Sequence, residues 1–463
     1  MNGMAQIGQG TGTTVGTSIP AEGISNLSGA PTMGGAPNAS GPGMSGPGNI
    51  GDLGGTPGGG SPSGLPDMAG LGGPGQFPGG MNGTNSNQSN SFWNQLGQNL
   101  KNNSTNQRLG SYWGRNELLM MWIKSGPIPP LALQMTPSGG SPNPLGGPPV
   151  LGDDNLSTNL QSGGLFSYGF SFDQSNSVGA EIVYFFLGSR TESEGIGSAW
   201  LQSPNLIERP YIDPTTGQAV NQIISEPGVA RGGIRESISA RATGWEVNLV
   251  SNWMASSIFN LDALVGWRYF QLNEGLQVVQ NGFQINSMGG LGNYQVISDQ
   301  IDAHNQFNGG QLGLRADLHL SQFFLEWSGK IAIGANFQSV RRNGLTVTIP
   351  AGTSTAIPQT GGFLVLGSNA GEVTKQVLAF LPESTLRLGI RLSSSTRLYV
   401  GYQITYLSNA VRPGDQVDLH INNAQLSTIR YGQPLVGPLN PYYTIHNSDV
   451  WMQGVVIGVE TRF

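Results

Sequence analysis

Side chains able to do chemistry are few in this sequence, and they are scattered. There are four histidines, His304, His319, His420 and His446, and no cysteine. Without Cys there is no disulfide, no thiolate metal site and no Cys nucleophile. Histidines isolated in strand ends and loops offer none of the ligand spacing that zinc uses. The nearest approach to a nucleophile and its base is His319-Leu320-Ser321. Residues two apart on a strand share a face, as a Ser–base pair requires. This pair adjoins a short turn, however, and shares the parity of Arg315 and Asp317, so it points to an interior and not to lipid. A lipid hydrolase is therefore the remote reading, and no catalytic residue is expected. Arg412-Pro413-Gly414-Asp415 reads as a tight turn whose ends can pair; calcium or ligand binding by Asp415 and Asp418 competes with that reading. Asp153-Asp154 has no assignable His partner, and Gly361-Gly362 precedes no helix, so no phosphate cradle is indicated. No cofactor and no metal is expected.

What the sequence does hold in regular spacing is charge. Asp262, Arg268, Arg315, Asp317, Glu326, Lys330, Glu383, Arg387, Arg391, Glu460 and Arg462 each fall opposite the apolar face of their own segment. Period two means strands with two different surroundings. Val450 to Phe463 has this form: Trp451, Val455, Ile457, Val459 and Phe463 lie on one face, Gly454, Gly458, Glu460 and Arg462 on the other. A tilted strand of about nine to eleven residues crosses a hydrocarbon core. In lipid every backbone group must be paired, so other strands have to close around it.

The chain supplies them. Tyr112 to Ile123, Phe166 to Phe172, Val178 to Leu187, Ser237 to Val250 and Phe259 to Tyr269 read as strands. So do Leu312 to Leu318, Leu325 to Phe337, Leu386 to Leu392 and Leu398 to Tyr406. Connections alternate long and short: 188–233 and 341–374 read as long loops, Ser393-Ser394-Ser395 as a short turn. That rhythm belongs to outer-membrane barrels, with short turns on the periplasmic side. The expected fold is all-β: a closed antiparallel transmembrane β-barrel of about ten strands, with twelve as the alternative, over 111–463. Both termini are expected in the periplasm. Charges would face the lumen, since Arg or Lys facing lipid at mid-depth costs about 2–4 kcal/mol. Glu181 breaks the pattern by sharing a face with Val183, Phe185 and Leu187. Aromatics such as Trp113, Trp122, Tyr168, Trp245, Trp267, Trp327, Tyr402 and Trp451 cluster near strand ends, as interfacial girdles do.

Composition agrees. Only 10% of the 463 residues are charged, 72 are Gly and 29 are Pro, unlike an average soluble protein. No apolar run is long enough for a transmembrane helix. The net charge of −6 without a basic stripe excludes nucleic acid as a natural partner. Residues 1–110 form a Gly/Pro-rich, low-complexity segment, expected to be a disordered tail or tether because it cannot bury enough apolar surface to offset its entropy. Binding of a cell-wall polymer is its alternative role. Phe92, Trp93, Leu96 and Leu100 fit a short amphipathic helix near 92–100. Met1-Asn-Gly-Met-Ala-Gln-Ile-Gly has neither the basic start nor the apolar core of a secretory signal, so an exported chain is expected to have shed one or to start late.

Laid out in this way, the chain resembles the outer-membrane porins known as beta-barrel porin family seven. The similar stretches include Phe307-Asn-Gly-Gly-Gln-Leu-Gly-Leu314, Lys330-Ile-Ala-Ile-Gly-Ala-Asn336, Gly361-Gly-Phe-Leu, Asn409-Ala-Val-Arg-Pro-Gly-Asp-Gln416 and the ending Glu460-Thr-Arg-Phe463. The resemblance implies an integral outer-membrane barrel in contact with outer-membrane lipid. Phe463 is expected to be the C-terminal signal recognised by barrel-assembly machinery. Ten strands with charges inside leave a narrow polar path at most. The expected function is a small-solute channel depending on Arg315, Lys330 and Arg387, or alternatively a non-conducting structural or surface-display barrel. Solute and oligomeric state have no signature in the sequence.

Overall fold

The computed structural model describes residues 111–463 except 136–146, 154, 157, 198–205, 286–288, 431–432 and 435. The tail and the helix expected near 92–100 lie outside the described residues.

Long strands make up the principal sheet: β1 Tyr112–Ile123, β2 Leu160–Ser171, β3 Val178–Gly197, β4 Ala230–Ala255, β5 Phe259–Ile285, β6 Leu291–Leu320, β7 Phe323–Ile349, β8 Gly371–Arg391, β9 Thr396–Val411 and β10 Asn447–Arg462. Each pairs antiparallel with its neighbours in sequence, and β1 also pairs with β10, so the ten strands form a ring. The seam is in register from Trp113–Arg462 to Ile123–Met452. Phe463 N donates to Tyr112 O at 2.8 Å, so the start of β1 and the last residue meet at the end that also carries the short turns. One of those turns is only Ser321–Gln322, with Ser321 at φ +59. The twelve-strand alternative is not what forms.

Alternation follows from the two environments. Leu118, Trp122, Ile182, Tyr184, Trp245, Trp267, Leu312, Trp327, Ile331, Leu388 and Val400 point outward and are exposed. Charged and polar neighbours one residue away are buried inside. This is the reverse of a soluble protein and matches a wall that meets acyl chains.

Two expectations need correction. Several strands are far longer than a membrane crossing needs: β5 has 27 residues and β6 has 30. Much of the supposed loop at 188–233 and 341–374 is therefore strand. β3 runs to Gly197, β4 begins at Ala230 and β7 continues to Ile349. Secondly, Trp113 is not in a girdle. It points inside, with the guanidinium carbons of Arg115 and Arg315 over its ring at 5.3 and 5.8 Å.

At the loop end, shorter strands fold over the ring. Ala132–Met135, Pro149–Leu151, Leu206–Ile212 and Ala219–Ser225 form a small sheet. The segments 361–370 and 412–429 pack beside it, burying Phe363, Leu364, Leu366, Ile421 and Leu426 against Ile207, Tyr211, Ile238 and Leu276.

Candidate functional site

Among the described residues, charged side chains from many strands converge in the interior of the ring. From the turn end, strands such as β1 and β8 bring in charge first and grease second. β1 reads inward as Arg115, Glu117, then Leu119, Met121; β8, in reverse, reads Arg387, Glu383, then Leu381, Ala379. The result is layers.

The first layer is a lattice of ion pairs that spans the ring. Arg115 Nη1 donates to Glu326 Oε1 at 2.7 Å, and its Nε to Glu460 Oε2 at 2.7 Å. Arg387 joins Glu117 at 2.7 Å and Glu326 at 3.1 Å. Arg268 holds Glu383 in a very short contact and Glu246 at 3.5 Å. Lys330 bridges Glu246 and Glu383 at 2.9 and 2.8 Å. Arg315 meets Glu181 at 2.7 Å, and Arg397 meets Asp317 at 2.9 Å. Asn248 and Gln311 knit in further oxygens. A desolvated charge costs several kcal/mol unless paired, which is why these partners come from distant strands. Glu181 is thereby explained: it faces inside with Val183 and Leu187 because the outward face of β3 is Ile182, Tyr184 and Phe186.

Above this lies a dry layer of Leu119, Met121, Leu165, Val183, Leu187, Phe270, Leu272, Phe307, Leu381, Leu407, Met452 and Val456. Phe185 stacks on Phe270 with centroids 5.9 Å apart. Higher still, Asn305 brackets the backbone of Val411 with two bonds of 2.8 Å, and Arg412 pairs with Glu274 at 2.6 Å. Near the mouth, Asp299 accepts from the backbone N–H groups of Phe363, Leu364 and Val365 at 2.9, 3.0 and 2.9 Å and from Arg209 at 3.3 Å. Burial pushes Asp299 above the usual carboxylate range and Arg209 below its own; their mutual attraction only partly offsets this.

Not every residue singled out by its parity sits within the lattice. Asp262 accepts from Asn252 at 2.8 Å. Arg391 is half-buried at the turn-end rim opposite Arg397, and Arg462 is largely exposed there, bonded to Glu460 at 2.6 Å. Arg412 does not pair with Asp415, which instead accepts from Ser448; Glu274 lies inside the ring and takes the guanidinium. His319 turns its Nε2 to Asp317 at 2.8 Å and not to Ser321, which is exposed at the turn. Asp154 lies outside the described residues. Among the described residues no group of three or more His, Asp or Glu could hold a metal ion. Sequence reasoning missed Arg115, Glu117, Glu246 and Arg397. The signal was present in β1, where Asn116, Leu118, Met120 and Trp122 alternate with them, but inward Leu119 and Met121 made the strand look uniformly apolar.

A ring of this kind, apolar outside and charged within, has a counterpart among known families. Residues 113–463 match the family described as "Putative beta barrel porin-7". This chain belongs to that family. It is a bacterial outer-membrane β-barrel. No match was found among curated proteins. Among solved structures, the outer membrane protease OmpT of Escherichia coli is 8% identical over 78% of this chain and 99% of its own, with a TM-score of 0.36. A FadL homologue of Pseudomonas aeruginosa is 8% identical over 76% and 90%, at 0.20. The toluene transporter TbuX of Ralstonia pickettii is 9% identical over 77% and 90%, at 0.18. At these scores none of the three bears on activity.

Proposed function

We propose that this porin-family barrel is closed at rest and serves as a non-catalytic structural platform in the outer membrane. The observation that carries the reading is the cross-ring contact of Arg115 with Glu326 and Glu460, roofed by the dry layer around Phe270 and Phe307. A hydrated ion crossing that layer would have to shed most of its water among mainly apolar side chains. In this reading both ends of the barrel chain lie in the periplasm, the tail at 1–110 tethers the barrel there, and the mouth with its folded loops faces outward. Outer-membrane lipid wets the exposed aromatic and aliphatic wall, and barrel-assembly machinery reads the strand ending at Phe463.

A second reading is favoured by the family's description as porins: a small-solute channel in which Arg315, Lys330 and Arg387 line the path once it opens. Liposome swelling in arabinose separates the two. Proteoliposomes of the wild type that swell no faster than empty ones support the platform; swelling at porin-like rates supports the channel.

A further inference from the structure

On the outward wall the change from grease to water can be followed row by row across β4, β5 and β6. Trp245, Tyr269 and Asn308 stand in register, with the Trp245 and Tyr269 rings stacked at 6.0 Å between centroids. The next outward row is Thr243, Gln271 and Gln306, and the one after it is Arg241, Asn273 and His304. Hydrogen bonds climb the same way. Tyr269 Oη donates to Gln271 Oε1 at 3.1 Å, Gln271 Nε2 donates to Asn273 Oδ1 at 3.2 Å, and His304 Nδ1 lies 2.8 Å from that same oxygen. An aromatic belt topped by a polar row marks the depth of lipid headgroups.

From Arg241 the outward face of β4 continues through Arg235 to Arg231. At about 3.3 Å per residue, Arg241 and Arg235 are about 20 Å apart, and Arg235 and Arg231 about 13 Å. None of the three has a hydrogen bond or ion pair among the described residues, and no carboxylate faces them from the flanking strands. β5 opposes them with Asn273, Val279 and Phe283, while β3 presents Ser193 and Gly195 on that side. Glu192 and Glu194 of β3 lie on the other face, in register with buried Ile238 and Glu236. Arg341 on β7 differs, since it stands between Asp302 and Glu372. Opposite Arg241, β3 carries an extra residue at Gly188-Ser189, a bulge of small residues that leaves the guanidinium open. A chain of net charge −6 thus keeps three uncompensated cations in a line that rises from the edge of the lipid-facing wall.

We propose that this line binds a phosphorylated glycolipid of the outer leaflet. Its acyl chains lie on exposed Val247 and Trp267 below the belt, a phosphate meets Arg241, and anionic groups of its saccharide reach Arg235 and Arg231. The arginines are too far apart for one phosphate to touch two, so the ligand must carry several charges along its length. Guanidinium is the group best matched to phosphate, and the uncharged Asn273 and His304 beside Arg241 suit sugar hydroxyls. The proposal rests on the outward-facing mouth of the preceding reading.

Native mass spectrometry of the full chain in dodecylmaltoside, with core-bearing lipid A as the probe, tests this. The wild type is expected to retain the glycolipid. Retention should fall at least fivefold in Arg241→Gln and vanish in the triple variant that adds Arg231→Gln and Arg235→Gln. Arg190→Gln, at an exposed arginine already paired with Glu192, should leave it unchanged. The β4 variants should keep the heat-modifiable gel mobility of a folded barrel, since these side chains bond to nothing in the ring. No retention by the wild type, equal retention by the triple variant, equal retention of the dephosphorylated glycolipid, or displacement by an equal concentration of phosphatidylglycerol would each overturn the proposal. Orientation is read separately: a membrane-impermeant maleimide should label Arg235→Cys in intact cells, the chain having no other cysteine. Absence of labelling would overturn the outward mouth together with this proposal, whereas loss of binding alone would overturn only the proposal.

Discussion

Arg115 on β1 and Glu326 on β7 meet across the ring, Nη1 to Oε1 at 2.7 Å, though they lie 211 positions apart in sequence. Neither strand is a neighbour of the other in the sheet. The contact is therefore a strut inside the barrel and not a link within its wall. Glu326 also receives Arg387, so one carboxylate holds two guanidiniums.

Removing that carboxylate should be severe. Glu326→Ala leaves Arg115 and Arg387 each short of a partner in a buried site, which typically costs about 3–5 kcal/mol. Urea unfolding in micelles, followed by gel mobility, should show a lower midpoint than the wild type. Arg462→Ala, at the largely exposed rim, should shift it little. Equal midpoints for Glu326→Ala and the wild type would mean the lattice is not formed.

The outward wall can be probed at Leu312, which is 62% exposed and flanked across the sheet by Val265 and Ile331. Leu312→Arg should lower the stability of the bilayer-inserted barrel by about 2–4 kcal/mol, as expected for a cation facing lipid. Gln300→Arg, also outward but twelve residues nearer the loop end on the same strand, should be nearly neutral. A reversed order would place the membrane elsewhere along the wall.

This contrast also explains what could be read in the sequence. From β4 to β8, the stretch near the turn end alternates apolar-out and charged-in, and its parity is plain in the sequence. Farther along the same strands the sense inverts: Arg241, Gln306 and Arg341 are exposed while Ala240, Phe307 and Val340 are buried. An outward face in water and an inward face packed on loops has the opposite polarity, so a continuous strand looks like a break. That is why 188–233 and 341–374 read as loops. Parity marked most of the interior charges but could not say which partners meet, because Arg115 and Glu326 are brought together only by closure of the ring. Nor could it anticipate Asp299, whose partners are backbone N–H groups of another segment.

Asp299 gives a further prediction. Its carboxylate is the acceptor for three consecutive buried N–H groups at Phe363, Leu364 and Val365. Asp299→Ala leaves those donors unsatisfied, at about 1–3 kcal/mol for each. The 361–366 segment should leave the mouth, seen as hydrogen exchange at least tenfold faster there while β1 and β10 stay protected. Unchanged exchange at Phe363–Val365 would show that other contacts hold the segment.

The closed interior is tested most directly by planar-bilayer recording of the refolded wild-type protein. The lattice and the dry layer above it predict a silent membrane at moderate voltage, with unitary currents emerging only in a variant that thins both, such as Lys330→Ala with Phe270→Ala. Reproducible unitary conductance from the unaltered protein would contradict a closed barrel.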